Sequence, residues 1–319
     1  MELYILTKGI IFCIMASVGI VGNSIILGSF QKSVYHEHKS ASTEIILFYT
    51  GLANLFMLLT RGVPKFLFDF GIRKFFNDPG CKFVVYVARV SRAMTICLTC
   101  FLSCFQCSTI ASSKWKWAYI KVYMQTCLVR IMVGLLVMNM VACIAAPYLS
   151  VSLNNSTEHK YIFNLGYCFI IFPDNVSFQV NGFVLFVRDL LFVVLMSASS
   201  VYVLLILYKH KKIVKHIKRS VQNQQTAEGQ AAKIVVTLVS LYVLFFGIDN
   251  SVWFYQITSG QVHPIISDVR YFFSLCYSSL FPFVIILLNK KIRNKLKCSK
   301  EEEFTQLQAI STTSKVAKK

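Results

Sequence analysis

The sequence predicts an all-α membrane protein, a seven-transmembrane helix bundle with its amino terminus extracellular. Three observations carry this. Of 319 residues, 55% are hydrophobic and only 15% are charged, a balance foreign to soluble domains. The apolar residues gather into seven runs, at 5–30, 45–68, 83–110, 124–150, 180–208, 231–257 and 267–289. Each is near or above the ~20 residues that ~30 Å of hydrocarbon requires. The basic residues, finally, collect on one side. After the first, third and fifth runs stand Lys32 and Lys39, then Lys114, Lys116 and Lys121, then Lys209, Lys211, Lys212, Lys215, Lys218, Arg219 and Lys233, with nine more in the tail. The opposite segments hold Arg73, Lys74, Lys82 and Lys160. The positive-inside rule therefore puts the carboxyl terminus in the cytoplasm.

The formal charge of +19 is thus topological. These charges lie against membrane surface, where anionic lipids are the partner, which argues against nucleic acid. The first run follows acidic Glu2, has no basic segment before it and exceeds a signal h-region, so it reads as a retained signal-anchor helix. Three glycosylation triplets support the orientation. Asn154-Asn155-Ser156, Asn155-Ser156-Thr157 and Asn175-Val176-Ser177 all fall in the outer loop between the fourth and fifth runs, with adjacent Asn154 and Asn155 not expected to carry glycans together.

Most of the eleven cysteines lie within runs, as Cys97, Cys100, Cys104 and Cys107 do, where a thiol packs as a small hydrophobe. Cys97-x-x-Cys100 lacks flanking histidines and a loop, so neither a metal nor a cofactor is expected. Cys81 and Cys168 differ, each falling in an outer, oxidising segment, and a disulfide between them is expected.

The third run carries Arg89 and Arg92, although a charge at a helix centre costs about 2.5 to 3.5 kcal/mol. At 1.5 Å per residue they lie roughly 12 and 16 Å below Cys81, and being three apart they share a face. That face must look into the bundle, where Asp189 and Asp249 are the available acids. Two readings stand together: a structural ion network, and a cavity whose arginines meet an anionic or hydrogen-bond-accepting ligand group. Arg188 adjoins Asp189 and projects to another side of its helix. Arg61 and Arg270, near outer helix ends, are expected to snorkel. Tyr86, Asn250, Trp253, Phe254 and Tyr271 fill out the candidate cavity, with an interfacial anchor as the alternative role for Trp253.

Several motifs carry a family likeness. Gly51-Leu-Ala-Asn54, Arg61-Gly-Val-Pro64, Phe70-Gly71, Cys81-Lys82, Tyr86, Arg89-Val-Ser-Arg92, Leu102-Ser103-x-Phe105-Gln106 and Lys114-Trp115 resemble vomeronasal type-1 receptors and their fish relatives, the ora receptors. So do Arg188-Asp189-Leu-Leu-Phe192, Met196 with Ser199-Ser200, Leu207-Tyr-Lys-His210 and Ala231-Ala-Lys233. The rhodopsin-like Asp-Arg-Tyr is replaced by Phe105-Gln106-Cys107, helix six lacks proline, and helix seven has Phe281-Pro282-Phe283. The basic pair often seen before Val90 is Ala88-Arg89 here.

The resemblance implies a chemosensory G-protein-coupled receptor in the plasma membrane of chemosensory neurons, not an enzyme. A small extracellular ligand would bind at Tyr86, Arg89, Arg92, Arg188, Asp189, Asp249, Asn250 and Trp253. A heterotrimeric G protein of the inhibitory type would meet Gln106, Lys114, Lys116, Lys215 and Lys218. A bitter-taste-type receptor is the nearest alternative. A transporter or channel would be expected to show broken helices or internal repeats, and neither is visible. His159 and His263 have no nucleophile or metal partner by spacing.

On the cytoplasmic side, Ile213, Val214, Ile217 and Val221 recur at helical spacing among lysines and histidines, a basic amphipathic extension of the fifth run. Residues 290–298 read as a short helix on the inner leaflet with Cys298 open to palmitoylation. The receptor domain is then 1–298, and 299–319 a disordered tail.

Overall fold

The computed structural model describes residues 2–36, 42–72, 75–112, 115–152, 162–217, 227–259, 264–289 and 292–294. Helix α1 spans Glu2–His36. Helix α2 (Ser42–Met57) passes through a π turn at Leu58–Gly62 into α3 (Val63–Asp69), and α4 covers Asp78–Ile110. Then come α5 (Trp115–Thr126), α6 (Leu128–Ala142) and the short α7 (Ala145–Leu149). The last three are α8 (Asn175–Ile217), α9 (Ala227–Ser259) and α10 (Pro264–Leu288). Among the described residues, seven helical stretches are long and apolar enough to cross a membrane, one for each predicted run.

Helix α4 is the axle of the bundle, with 78% of its most apolar stretch buried against 22% for α6–α7 and for α8. Those outer helices turn leucines and valines outward, as lipid demands. Asn77 caps α4 by accepting the Gly80 N–H at 3.0 Å, with Pro79 in the first turn where a missing N–H costs nothing. Helix α1 approaches α10 closely: a Cβ on Gly22 would come within 2.6 Å of the Pro282 ring, and one on Gly19 within 3.1 Å of the Ser279 backbone. Asn23, fully buried, bridges the same two helices by donating to the Gly19 and Ser278 carbonyls at 2.7 and 3.0 Å.

The π turn has a local cause. The Val63 N–H reaches back five residues to the Leu58 carbonyl, and Pro64 has no N–H to offer Thr60 four residues earlier. The helix therefore continues with one residue more than its α ladder needs, and Arg61 lies within that turn.

The all-α expectation missed one feature. Strands β1 (Ser150–Ser152), β2 (Ile162–Asn164) and β3 (Cys168–Ile171) form an antiparallel sheet ordered β1-β3-β2, with Ser152 opposite Cys168 and Asn164 opposite Phe169. Three- and four-residue strands leave too short an alternation to be seen in sequence. The Ser152 N–H donates to Asp78 Oδ1 at 2.7 Å, and Cys168 is disulfide-bonded to Cys81 in the first turns of α4. The sheet is thereby a fixed cover over one end of the bundle.

Candidate functional site

Beneath that cover lies a cavity of about 170 Å³, lined by Arg61, Arg89, Arg92, Arg188 and Arg270 with Asp189, Asn250 and the apolar Val85, Leu165, Phe172, Phe178 and Phe186. Four elements place the five arginines. Arg89 and Arg92 share one face of α4, Arg188 comes from α8, Arg270 from α10, and the π turn contributes Arg61.

The charges are sorted rather than pooled. Asp249, 1% exposed, gives one oxygen to each of two partners: Arg92 Nη2 donates to Oδ2 at 2.7 Å and Arg270 Nε to Oδ1 at 3.0 Å. One carboxylate thus joins α4, α9 and α10. Arg188 donates from Nε and Nη2 to Oδ1 of Asp189, at 2.9 and 2.7 Å. Arg61 lies over the Tyr271 ring, 4.4 Å from its centre, and its buried Nε meets no acceptor among the described residues. Arg89 makes no ion pair with a described carboxylate. Five guanidiniums thus meet two carboxylates, Asp189 and Asp249, so the site carries more positive charge than these acids offset, at a desolvation cost of several kcal/mol for each buried charge left unpaired.

A second, smaller cavity of about 30 Å³ lies against Arg92 and Asp249 and is also lined by Thr95, Tyr242, Ser274, Tyr277 and Ser278. It adjoins a buried polar chain. Asn54 Oδ1 accepts from Thr95 and Ser278 hydroxyls at 3.2 and 3.1 Å, while Thr99 and Tyr277 hydroxyls meet at 2.9 Å.

Tyr167 reaches down from the cover. It is 4% exposed, accepts from the Tyr271 hydroxyl at 3.0 Å and donates to the Thr60 carbonyl at 3.4 Å, the one that Pro64 deprives of a helical donor. Burial pushes its phenol well above the usual tyrosine range. Behind it, Lys8, Asp69, Lys65 and Asp268 alternate in a closed ring of four ion pairs between 2.9 and 3.2 Å, tying α1, α3 and α10. Lys65 also lies over the Phe12 ring at 5.4 Å.

Of the residues expected at the site, the structure brings Arg89, Arg92, Arg188, Asp189, Asp249 and Asn250 together, and elsewhere it departs from the expectation. Arg270 and Arg61 do not snorkel; both line the cavity, because an inward acid and an aromatic ring offer better partners than a distant interface. Arg188 takes Asp189, its own neighbour, since a long guanidinium folds back along the helix surface. Tyr86 turns away, donating to the Met140 carbonyl of α6 at 2.9 Å, and Phe254 is 67% exposed on the outer side of α9. Gln106 is 2% exposed and donates to Thr43 Oγ1 at 3.1 Å, so in this conformation it is shut off from any partner outside the bundle. Lys116 and Asn175 are exposed. Asn154, Asn155, Lys114, Lys218 and Cys298, with the side chains of Trp253 and Lys215, lie outside the described residues. Tyr167 and the four-charge ring were missed. The signal for the ring was faint: Lys65 and Asp69 are four apart, but Lys8 and Asp268 are remote in sequence.

The sequence model of the vomeronasal organ pheromone receptor family matches residues 6–298. The chain belongs to that family. Among its vomeronasal-type relatives, it is 40% identical to "Olfactory receptor class A-like protein 1" of Danio rerio over 307 residues, 96% of each chain. It is 29% identical to "Vomeronasal type-1 receptor 2" of Homo sapiens, over 84% of this chain and 68% of that one. Squid rhodopsin, at 16% identity, superposes with a TM-score of 0.71 over 96% of this chain and 87% of its own, which establishes the seven-helix receptor fold. This vomeronasal-family chain is accordingly a multi-pass membrane protein of a receptor family, not an enzyme.

Proposed function

We propose that this protein is a chemosensory G-protein-coupled receptor of the plasma membrane of chemosensory neurons, with its amino terminus outside and its sheet-covered cavity open to small extracellular ligands. The observation that carries the reading is the surplus of arginines under the cover. A mostly apolar cavity with uncompensated guanidiniums favours a small amphiphile bearing an anionic or strongly accepting group. Such a ligand would rest on Phe172, Phe178 and Phe186 and offer its polar group to Arg89 and Arg61, within reach of Arg92, Arg188, Asp189, Asp249 and Asn250.

Binding would stabilise a conformation with the cytoplasmic ends apart, and so activate a heterotrimeric G protein of the inhibitory type. Lys114, Lys116, Lys215 and Lys218 form its contact surface, which Gln106 joins once its bond to Thr43 opens. Outer-loop glycans on Asn154 or Asn155 and on Asn175, and a palmitate on Cys298, complete this topology. The bitter-taste and transporter alternatives draw no support from the family match.

The test is a G-protein readout in cells expressing the receptor, with benzoate and benzylamine as matched anionic and cationic probes of cavity charge within a wider screen of small acids and amines. Responses confined to acids, with potency lost in Arg89→Ala at unchanged surface level, are expected. Amines as effective as acids, or an Arg89→Ala variant of full potency, would refute the anionic reading.

A further inference from the structure

The two acids of the cavity are not equivalent. Asp189 is satisfied within its own helix, by the residue before it. Asp249 spends both oxygens on other helices, and through them its charge ties the middle of α9 to α4 and α10. Arg92 and Arg270, its two partners, both line the ligand cavity, whereas Asp249 itself lines the smaller cavity beneath. The arginines therefore face two ways: toward the place a ligand would occupy, and toward an acid of the protein's own.

We infer that Asp249 is an internal counter-anion, holding α9 against α4 and α10 until a ligand's anionic group, seated at Arg89 and Arg61, also draws Arg92 and Arg270 from it. This rests on the proposed ligand cavity and adds the residue through which binding reaches a moving helix. The exchange needs a place for the released carboxylate, and the structure supplies one. The 30 Å³ space beside Asp249 has room for water to solvate a carboxylate that has lost its guanidiniums, and the bordering Thr95, Ser274, Tyr277 and Ser278 hydroxyls, which donate elsewhere, can hold that water by accepting from it. A ligand acts here by differential affinity alone. It binds better where Arg92 and Arg270 are free, and so shifts the population toward α9 released.

Asp249 is thus a positioning residue, and its neutralisation should imitate the ligand without occupying the cavity. The experiment uses the full chain in lipid nanodiscs with no ligand added. Spin labels are carried by non-natural residues in place of exposed Lys116 on α5 and Lys233 on α9. In Asp249→Asn, a population with longer label separation should rise about tenfold over the parent, the consequence of losing charge-assisted bonds to two helices. Arg270→Gln, which cuts one arm, should give a smaller rise in the same direction.

The exchanged pair Arg92→Asp with Asp249→Arg places two cations near each other, Arg270 and the new one, and serves as a check that geometry as well as charge is needed; it should not restore the parent distribution. Unchanged separations in both Asp249→Asn and Arg270→Gln, in samples with parent-like thermal unfolding, would overturn the inference. Full restoration by the exchanged pair would confine the hold to the α4–α9 pair and overturn the part of the inference that rests on Arg270. This readout requires no G protein and no identified ligand. Failure of the receptor reading would appear in the cell assay, and failure of the counter-anion in the label distances.

Discussion

Tyr167 shows how one side chain can be specified from three directions. Pro64 deprives Thr60 of a helical donor, the disulfide at Cys168 holds the next residue down, and Tyr271 presents a hydroxyl 3.0 Å away. Replacing Tyr167 with Phe should cost about 1 kcal/mol in thermal or denaturant unfolding, with the Thr60 carbonyl left unpaired. The same residue sets a pH dependence. Its phenol titrates higher folded than unfolded, so its contribution is whole below pH about 10 and is lost as pH rises through the folded value. Alkaline unfolding of the parent should therefore be steeper above pH about 10 than that of Tyr167→Phe, as followed by tryptophan fluorescence. Asp69 presents a different case: 6% exposed and shared by Lys8 and Lys65, its change to Asn should destabilise by about 1 to 3 kcal/mol, because buried Lys65 and partly buried Lys8 are left to share Asp268.

At the scale of elements, the α1–α10 seam makes a sharp comparison between two glycines of one helix. A methyl on Gly22 would meet the rigid Pro282 ring, while one on Gly28 meets nothing within 4 Å. Gly22→Ala should destabilise by about 1 to 3 kcal/mol, as overpacking does. Gly28→Ala should stabilise by up to about 1 kcal/mol through helix propensity, and thermal unfolding in nanodiscs distinguishes the two. The seven spans were legible in sequence because lipid imposes length and apolarity on each of them. The cover was legible only at Cys81 and Cys168, since strands of three or four residues carry no period. Two breaks divide the fourth run into α5, α6 and α7: the one at Cys143 is announced by Pro147 four residues on, whose missing N–H leaves the Cys143 carbonyl without its helical donor, while the one at Cys127 has no glycine or proline beside it.

For the whole molecule, the inward acids and arginines could be read from sequence because the bilayer forbids them anywhere else, but their pairing could not. Arg92 chose Asp249 over Asp189, and Arg270 joined it, through the relative rotation of α4, α9 and α10, a quantity that no local spacing contains. Tertiary geometry also decided that Arg61 belongs in the cavity. In a straight α-helix its phase would be set by the residues before it; here the π turn resets it.

That turn bears on how such a cavity can be altered. A π turn is an α-helix with one residue added, and the flanking helices keep their phases if one is taken away. Leu59, 43% exposed on the outer surface, is the residue to remove. Its deletion together with Pro64→Ala, which gives Thr60 back its helical donor, should leave Asn54 and Lys65 in their packing positions while turning Arg61 away from the cavity. Surface expression should survive and any Arg61-dependent ligand response should not. In this chain the length of one helical turn thus sets the charge of the cavity, with no substitution among the residues that line it.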